Sequence, residues 1–488
     1  MNGMITRHIC NCILLLLASL SQMKGQSDML DHGRIGHAGF LTSVVTDYQC
    51  LSINPANLGF APTVEYFTSS TPLEAGLERK TRRFAVGFGQ VGASIRSDAL
   101  DKTKLFDMVL QRGSAVEFTR EDQIQLAKDF SDRGIRVNAD VMLVGASYQT
   151  KRWGGIGFTI RDRVGSSFQL NDGASDLIFR GRNASYFDSS YVNWRGDTIG
   201  VARKPQLFSQ LFDGTQLSLT WSREYAVAYG LPLFMGQDWR FCIGVTGKYL
   251  ESYAYMDARA ENGVFSGASA LSPWFEINYG KATTPSALSG TGLLPVGRGY
   301  GIDFGVSYQS SNFSLGMSVI DIGQMRYNGN VYSIADTVVN GLATPGFESY
   351  NFIKEAQQLT GEGNYIVWSG LLETRAMLPT RVRLGGSYTV SRFFRCGFDV
   401  MAPLTDVGSN LSNAITSVGI NYRPFSWLII AAGLGTGDGM TTFIPGSIAL
   451  SILGGTVETG VTTMDMSSLF TDRLPVISAH VGFIRLRL

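Results

Sequence analysis

Residues 300–319, YGIDFGVSYQSSNFSLGMSV, decide the fold class. Tyr300, Ile302, Phe304, Val306 and Tyr308 alternate with Gly301, Asp303, Gly305, Ser307 and Gln309. After a break at 310–312, Phe313, Leu315, Met317 and Val319 alternate with Ser314, Gly316 and Ser318. A period of two marks a strand, because successive side chains leave opposite faces of the pleat. The two runs read as an antiparallel hairpin with one apolar and one polar face.

Outward from this hairpin the alternation returns. Val382, Leu384, Gly386, Tyr388 and Val390 oppose Arg383, Gly385, Ser387 and Thr389; Phe394, Cys396, Phe398 and Val400 oppose Arg395, Gly397 and Asp399. Similar runs carry Ile156, Phe158 and Ile160, then Leu217, Leu219 and Trp221, then Val418, Ile420 and Tyr422. A soluble sandwich and a membrane barrel share this pattern, and strand length separates them. Many runs cover roughly nine to twelve residues, the reach of a tilted membrane strand, whereas soluble strands have about five or six. Roughly 13 to 16 candidate strands are present, and antiparallel closure favours an even total near 14.

The expected fold is therefore all-β: a single antiparallel transmembrane β-barrel of about 14 strands, whose closure pairs every backbone group as lipid demands. Its polar face lines a lumen carrying Asp303, Arg383, Arg395 and Asp399. Residues 476–488 read as a closing strand, with His480, Gly482, Ile484, Leu486 and Leu488 on one face and Arg485 and Arg487 pointing inward. Connections are short at 310–312, 391–392 and 423–424, but long and polar at 181–214, 258–295 and 323–378. Outer-membrane barrels show that asymmetry between their two rims. Trp153, Trp239 and Trp427 suit interfacial girdles.

A helical insert interrupts the strands at 98–133. Residues 98–112 have apolar positions at helical spacing, and a second helix starts at Thr119, where Thr119-x-x-Asp122 resembles a capping box. A third short helix is expected at 350–359. Such helices belong in loops, at the membrane surface or inside the barrel.

At the N-terminus, Arg7 and His8 precede the apolar run 13–18, and small polar residues follow to Gln26. Residues 1–26 thus read as a cleaved signal peptide, too short in its apolar part to span a bilayer. Export and a barrel together point to the outer membrane of a Gram-negative cell, with outer-membrane lipid and the barrel-assembly machinery as partners. A net charge of +1 with 17% charged residues excludes the basic field that nucleic-acid binding needs. The 57 glycines and 11% aromatics suit a large twisted sheet. Cys50, Cys242 and Cys396 are odd in number and far apart, so they read as small apolar wall residues rather than a disulfide framework.

Catalytic motifs are not evident. HExxH, CxxC, the GxxxxGK phosphate loop and the GxSxG elbow are missing, so neither an enzyme nor a cofactor is expected. Asp31, His32 and His37 lie close in sequence but are not expected to hold a metal. Arg195-Gly196-Asp197 reads as a chance tripeptide, and 435–439 as an outer loop.

One segment carries a family likeness. Residues 33–60 read GRIGHAGFLTSVVTDYQCLSINPANLGF, and the core 52–59 resembles the NPA segment of the long-chain fatty-acid porin (FadL-like) superfamily. The likeness is greatest to an uncharacterised, domain-of-unknown-function group of exported barrels within it, to which 138–163, with its VGASYQ and IGFTIRDR runs, is also similar. The resemblance implies a barrel over 63–488 and an N-terminal segment, 27–62, folded inward as a hatch. Asn54, Pro55 and Ala56 would then lie in the hatch or at its junction with the wall. Two functions stay open: a passive channel for small hydrophobic solutes, or a non-transporting barrel acting as a secretion or assembly partner or a surface platform.

Overall fold

The computed structural model describes residues 33–34, 36–67, 77–101, 103–105, 117–349, 355, 367–408, 410–411, 413–438, 440–470 and 476–488. The signal segment, most of the first expected helix and nearly all of 350–359 lie outside these residues, as do Asp31 and His32.

Fourteen antiparallel strands close the wall in sequence order. They are β1 Phe84–Ser97, β2 Arg133–Thr150, β3 Gly154–Leu170, β4 Gln216–Met235, β5 Trp239–Glu261, β6 Gly297–Ser310 and β7 Phe313–Tyr327. The second half comprises β8 Arg381–Thr389, β9 Phe394–Pro403, β10 Ile415–Phe425, β11 Leu428–Gly437, β12 Gly446–Ile452, β13 Val457–Thr463 and β14 Val476–Arg487. Pairing of β14 with β1, from Val476↔Arg96 to Arg487↔Ala85, closes the cylinder. Among the described residues no helix is long and apolar enough to cross a membrane.

The opening hairpin pairs as its alternation predicts, from Gly305↔Ser318 to Gln309↔Ser314. Tyr300, Ile302, Phe304 and Val306 are 41% to 70% exposed on the outside, while Asp303 is fully buried inside. The same belt runs round the cylinder through Phe88, Phe158, Val227, Val245, Leu384, Val418, Leu434, Ile448 and Ile484. In water so large an apolar surface would drive association; in a bilayer it is the lipid face of a barrel. At the rim of the short turns, Trp239 stacks on Tyr308, Phe394 on Tyr422 and Phe425 on Trp427.

Every connection at one rim is a tight turn, and every one at the other is longer. On the long-loop side the wall rises beyond one bilayer crossing, since β4 and β5 have 20 and 23 residues. Val264–Leu271, Val331–Ala335 and Val367–Gly370 extend the sheet there, and Thr374–Met377 pairs with the outer end of β7. Helices α1 (Arg120–Phe130) and α2 (Asp172–Arg180) roof this end. Their apolar faces meet at Phe130 and Phe179, and Phe347 packs on Phe179. The Thr119/Asp122 capping box is present at the start of α1.

Four details differ from the sequence reading. The turn placed at 423–424 lies at Ser426–Trp427, because β10 continues through Pro424 to pair Phe425 with Leu428. The terminal strand changes face: His480 is buried while Ile484 is exposed. The switch sits opposite Gly89, whose φ of +62° marks a bulge in β1. Cys50 lies in the N-terminal segment rather than the wall. Helix α2 was not expected; Asn171, accepting from the Ala174 amide, starts it.

Candidate functional site

The lumen holds three tiers. Residues 36–60 fill the half nearest the short turns, with short 3-10 turns at Asp47–Cys50 and Pro55–Gly59. Pro55 sets the second turn, and Asn54 ahead of it is extended (φ −156°, ψ 100°), as a residue before proline prefers. The Asn54 Oδ1 accepts from the Ala56 amide at 3.1 Å. Its Nδ2 donates to Val306 O at 3.2 Å, Ser307 Oγ at 2.9 Å and Thr42 O at 3.3 Å. Asn57 donates to Thr42 O and Val45 O and accepts from Ser307 Oγ. Asn54, Ala56 and Asn57 are fully buried. The NPA segment is therefore a fastening between the inner chain and β6.

The wall makes room for this chain by omitting side chains. Ten consecutive strands each present at least one glycine to it, among them Gly87, Gly145, Gly157, Gly230, Gly244, Gly305, Gly316, Gly385, Gly397 and Gly419. A Cβ at any of these would come within 3.0 Å of Tyr48, Leu51, Asn54, Pro55, Thr42, Phe40 or Ala38. Much of the glycine content thus serves close docking of chain against wall.

Above the inner chain lies a layer of buried charge. Lys248 Nζ sits 2.8 Å from Asp303, 2.6 Å from Asp321 and 3.8 Å from Glu224, with every side chain fully buried. Arg163 joins Asp321 at 3.1 Å and Glu224 at 3.6 Å; Arg161 joins Glu224 at 3.3 Å and Asp140 at 3.1 Å. Ser52 Oγ of the inner chain donates to Glu224 at 3.1 Å, linking the two tiers. Removing one partner from such a layer strands a charge away from water, at about 3–5 kcal/mol.

The third tier is a cavity of about 580 Å³ on the long-loop side of the charge layer. Arg163 and Asp321 form part of its floor. Ser218, Ser222 and Ser252 line it together with Leu250, Met325 and Leu378. Tyr255 and Tyr327, stacked at 4.2 Å, also border it. Its three arginines, Arg163, Arg259 and Arg375, are matched by Asp257, Asp321 and Asp406.

The residues anticipated for the lumen do not gather at one point. Asp303 belongs to the charge layer. Arg383 pairs with Asp399 at 3.2 Å, and both grip the inner chain through Thr42. Arg485 binds Asp47 and Glu458, and Arg487 binds the same two carboxylates. Arg395 lies at the short-turn mouth, its Nε on Thr389 Oγ1 at 3.2 Å. Sequence reasoning missed Lys248, Glu224, Arg163 and Asp321. Lys248 was within reach: it falls two positions after Thr246 on the inward register of β5. Asp321 was not, because a bulge there (φ +60°) breaks the alternation.

Comparison with known proteins follows this geometry. A model for a family of unknown function (DUF5723) matches residues 79–439. No curated protein matches the sequence. Among solved structures the chain is similar to the toluene transporter TodX of P. putida, with 10% identity over 96% of this chain and 99% of that one, at a TM-score of 0.40. It is also similar to a FadL homologue of Pseudomonas aeruginosa, with 7% identity over 95% of this chain and 96% of that one, at a TM-score of 0.36.

Proposed function

The chain belongs to the family of unknown function DUF5723, and we propose that it is an outer-membrane barrel that admits small, mostly apolar solutes into the outer half of its lumen. The observation that carries this reading is the 580 Å³ cavity, bordered by residues 375–379 and 406–408 of the long connections and floored by the buried charge layer. Cavities of this size are the usual form of small-molecule sites, and this one combines Leu250, Met325, Leu378 and the Tyr255–Tyr327 stack with serines and with arginines and aspartates equal in number. Export through a cleaved signal peptide brings the chain there, and the assembly machinery inserts it. The inner segment acts as a hatch that stays closed along the axis.

Proteoliposome permeation with solutes of graded polarity tests the proposal. Apolar solutes of cavity size should cross faster than polar ones of equal mass. Ser252→Trp, which fills the cavity, should slow them by at least about tenfold, the scale of a lost well-fitted site. A folded barrel through which no solute moves would sink the channel reading. That outcome favours a non-transporting barrel, for which the filled middle of the lumen is the supporting observation.

A further inference from the structure

We propose that the outside of the wall carries a binding site for the phosphate of an anionic lipid in the leaflet facing the long loops. The cross-strand register sets six charged residues in one row on the outer surface of the barrel. In order they are Asp162 on β3, Arg223 on β4, Glu251 on β5, Arg298 on β6, Arg326 on β7 and Arg375 on Thr374–Met377, the strand that also borders the cavity. The first half alternates in sign, as facing residues of neighbouring strands should, and Arg223 grips Asp162 through two bonds of 2.7 and 2.9 Å. The second half sets three arginines side by side, where like charges repel. Glu373 meets part of this charge, at 2.8 Å from Arg326 and 3.2 Å from Arg375. Arg298 is exposed and takes part in no ion pair among the described residues; Glu251 beside it accepts from Tyr249 Oη at 3.4 Å instead. Strands β5, β6 and β7 and the connection 262–296 all lie within the described residues.

The height of the row identifies what it meets. Tyr308, stacked on Trp239, belongs to the short-turn rim, and Arg298 lies ten residues away along β6. At about 3.4 Å per residue and a tilt of about 40°, Arg298 stands roughly 25 Å above that rim, the full height of an apolar band. One step below the row, Tyr225, Tyr249 and Tyr300 stand ring beside ring, 6.0 and 5.6 Å apart, as in the aromatic belt of a membrane interface. Arginines at this level meet lipid headgroups rather than acyl tails, and guanidinium forks match the geometry of phosphate oxygens. The site does not depend on solute passage, because lipid occupancy is read at equilibrium whether or not anything crosses the barrel.

Native mass spectrometry of the full chain, titrated in neutral detergent with diphosphoryl lipid A, tests it. Saturable retention of the lipid is expected, weakened at least about tenfold by the double variant Arg298→Gln and Arg326→Gln, the scale of lost charge-assisted bonds. Arg298→Gln alone should give part of that loss; because Arg298 joins no ion pair, its effect reads the lipid and not a contact within the protein. Arg298→Lys, which keeps the charge but not the fork, should lose less than Arg298→Gln. Arg203→Gln with Lys204→Gln, exposed cations on the loop strand Thr198–Leu207, should leave binding unchanged. The heat-shifted gel mobility of a closed barrel verifies that each variant is folded. The same lipid stripped of its phosphates should bind no better than diphosphoryl lipid A binds the double variant. Equal retention of the stripped lipid would assign binding to acyl packing and overturn the proposal. Absence of saturable retention, or equal weakening by the Arg203 and Lys204 pair, would overturn it too.

Discussion

The two halves of the lumen are closed by opposite means. In the inner half the chain 36–60 presses its backbone and side chains directly onto a wall stripped to glycine on ten strands. At the long-loop end side chain packs against side chain: Leu105, Leu126, Phe130, Leu177, Phe179 and Phe347 form one buried cluster. Close docking on glycine leaves no slack, so the inner closure is part of the fold itself. A cluster of side chains from loop helices, seated on no glycine track, has alternatives in which those side chains repack. The difference places rigidity toward the short turns and adaptability toward the long loops.

The hardest blow to this comparison is a side chain in the glycine track. Gly305→Leu would drive atoms into the Asn54 carboxamide and the Pro55 ring, which are buried and held by the Asn54 hydrogen bonds. We expect loss of the closed barrel, beyond the about 1–3 kcal/mol of ordinary overpacking. Gly247→Leu is the matched control, since nothing lies within 4 Å of a Cβ there. Gel mobility after mild heating measures both; equal tolerance would show that the inner chain gives way and is not built in.

Next in size is the boundary between the halves. Lys248→Met leaves Asp303, Asp321 and Glu224 without their shared cation, and a loss of about 3–5 kcal/mol is expected. Urea unfolding in detergent measures it. Adding Asp303→Asn should recover part of the loss by removing one stranded charge. No recovery would mean that Lys248 acts through packing alone.

How much of this contrast was legible beforehand depended on periodicity. Hairpins such as β6–β7 and β8–β9 could be read residue by residue, because a lipid face and a polar lumen impose strict alternation. Bulges defeated the same rule: Asp321 and the face change between His480 and Ile484 needed backbone geometry to be seen. Asn54, Pro55 and Ala56 stood out as a motif, but their hold on Val306 and Ser307 joins residues some 250 positions apart, which no local pattern encodes. The glycine track was visible only as a high count. Each glycine means something through the inner residue it faces, and that pairing is a property of the closed barrel. Of the roof, α1 was legible from its capping box, while α2 escaped because it is a short helix inside a polar loop.

Acidification probes the start of the inner chain. With its pKa held down to about 3 by burial and the arginines beside it, His37 stays neutral when folded but takes a proton below about 6.5 when unfolded. Stability from this residue is full above that value and declines as pH falls toward 3. Asn421 Nδ2 lies 2.9 Å from His37 Nδ1, and protonation there sets two donors against each other. Protease access to the 36–60 segment should therefore rise as pH falls from about 7 to about 4, and His37→Asn should flatten the rise. An unchanged slope would assign the loosening to other groups.

The smallest effect tests the roof. Thr119 Oγ1 and the Thr119 amide donate to Asp122 at 2.8 and 2.9 Å, and Oγ1 accepts from the Asp122 amide at 3.2 Å. These bonds hold the Asp122 carboxyl below its ordinary range. Thr119→Ala should cost about 1 kcal/mol, the usual worth of an N-cap. Hydrogen exchange should then quicken in α1, while amides of the inner chain and of β6 keep their protection, because the charge layer and the glycine track do not touch the roof. If exchange rose equally in both halves, the roof and the inner chain would be one cooperative unit, and the division between a fixed floor and an adaptable cover would fail.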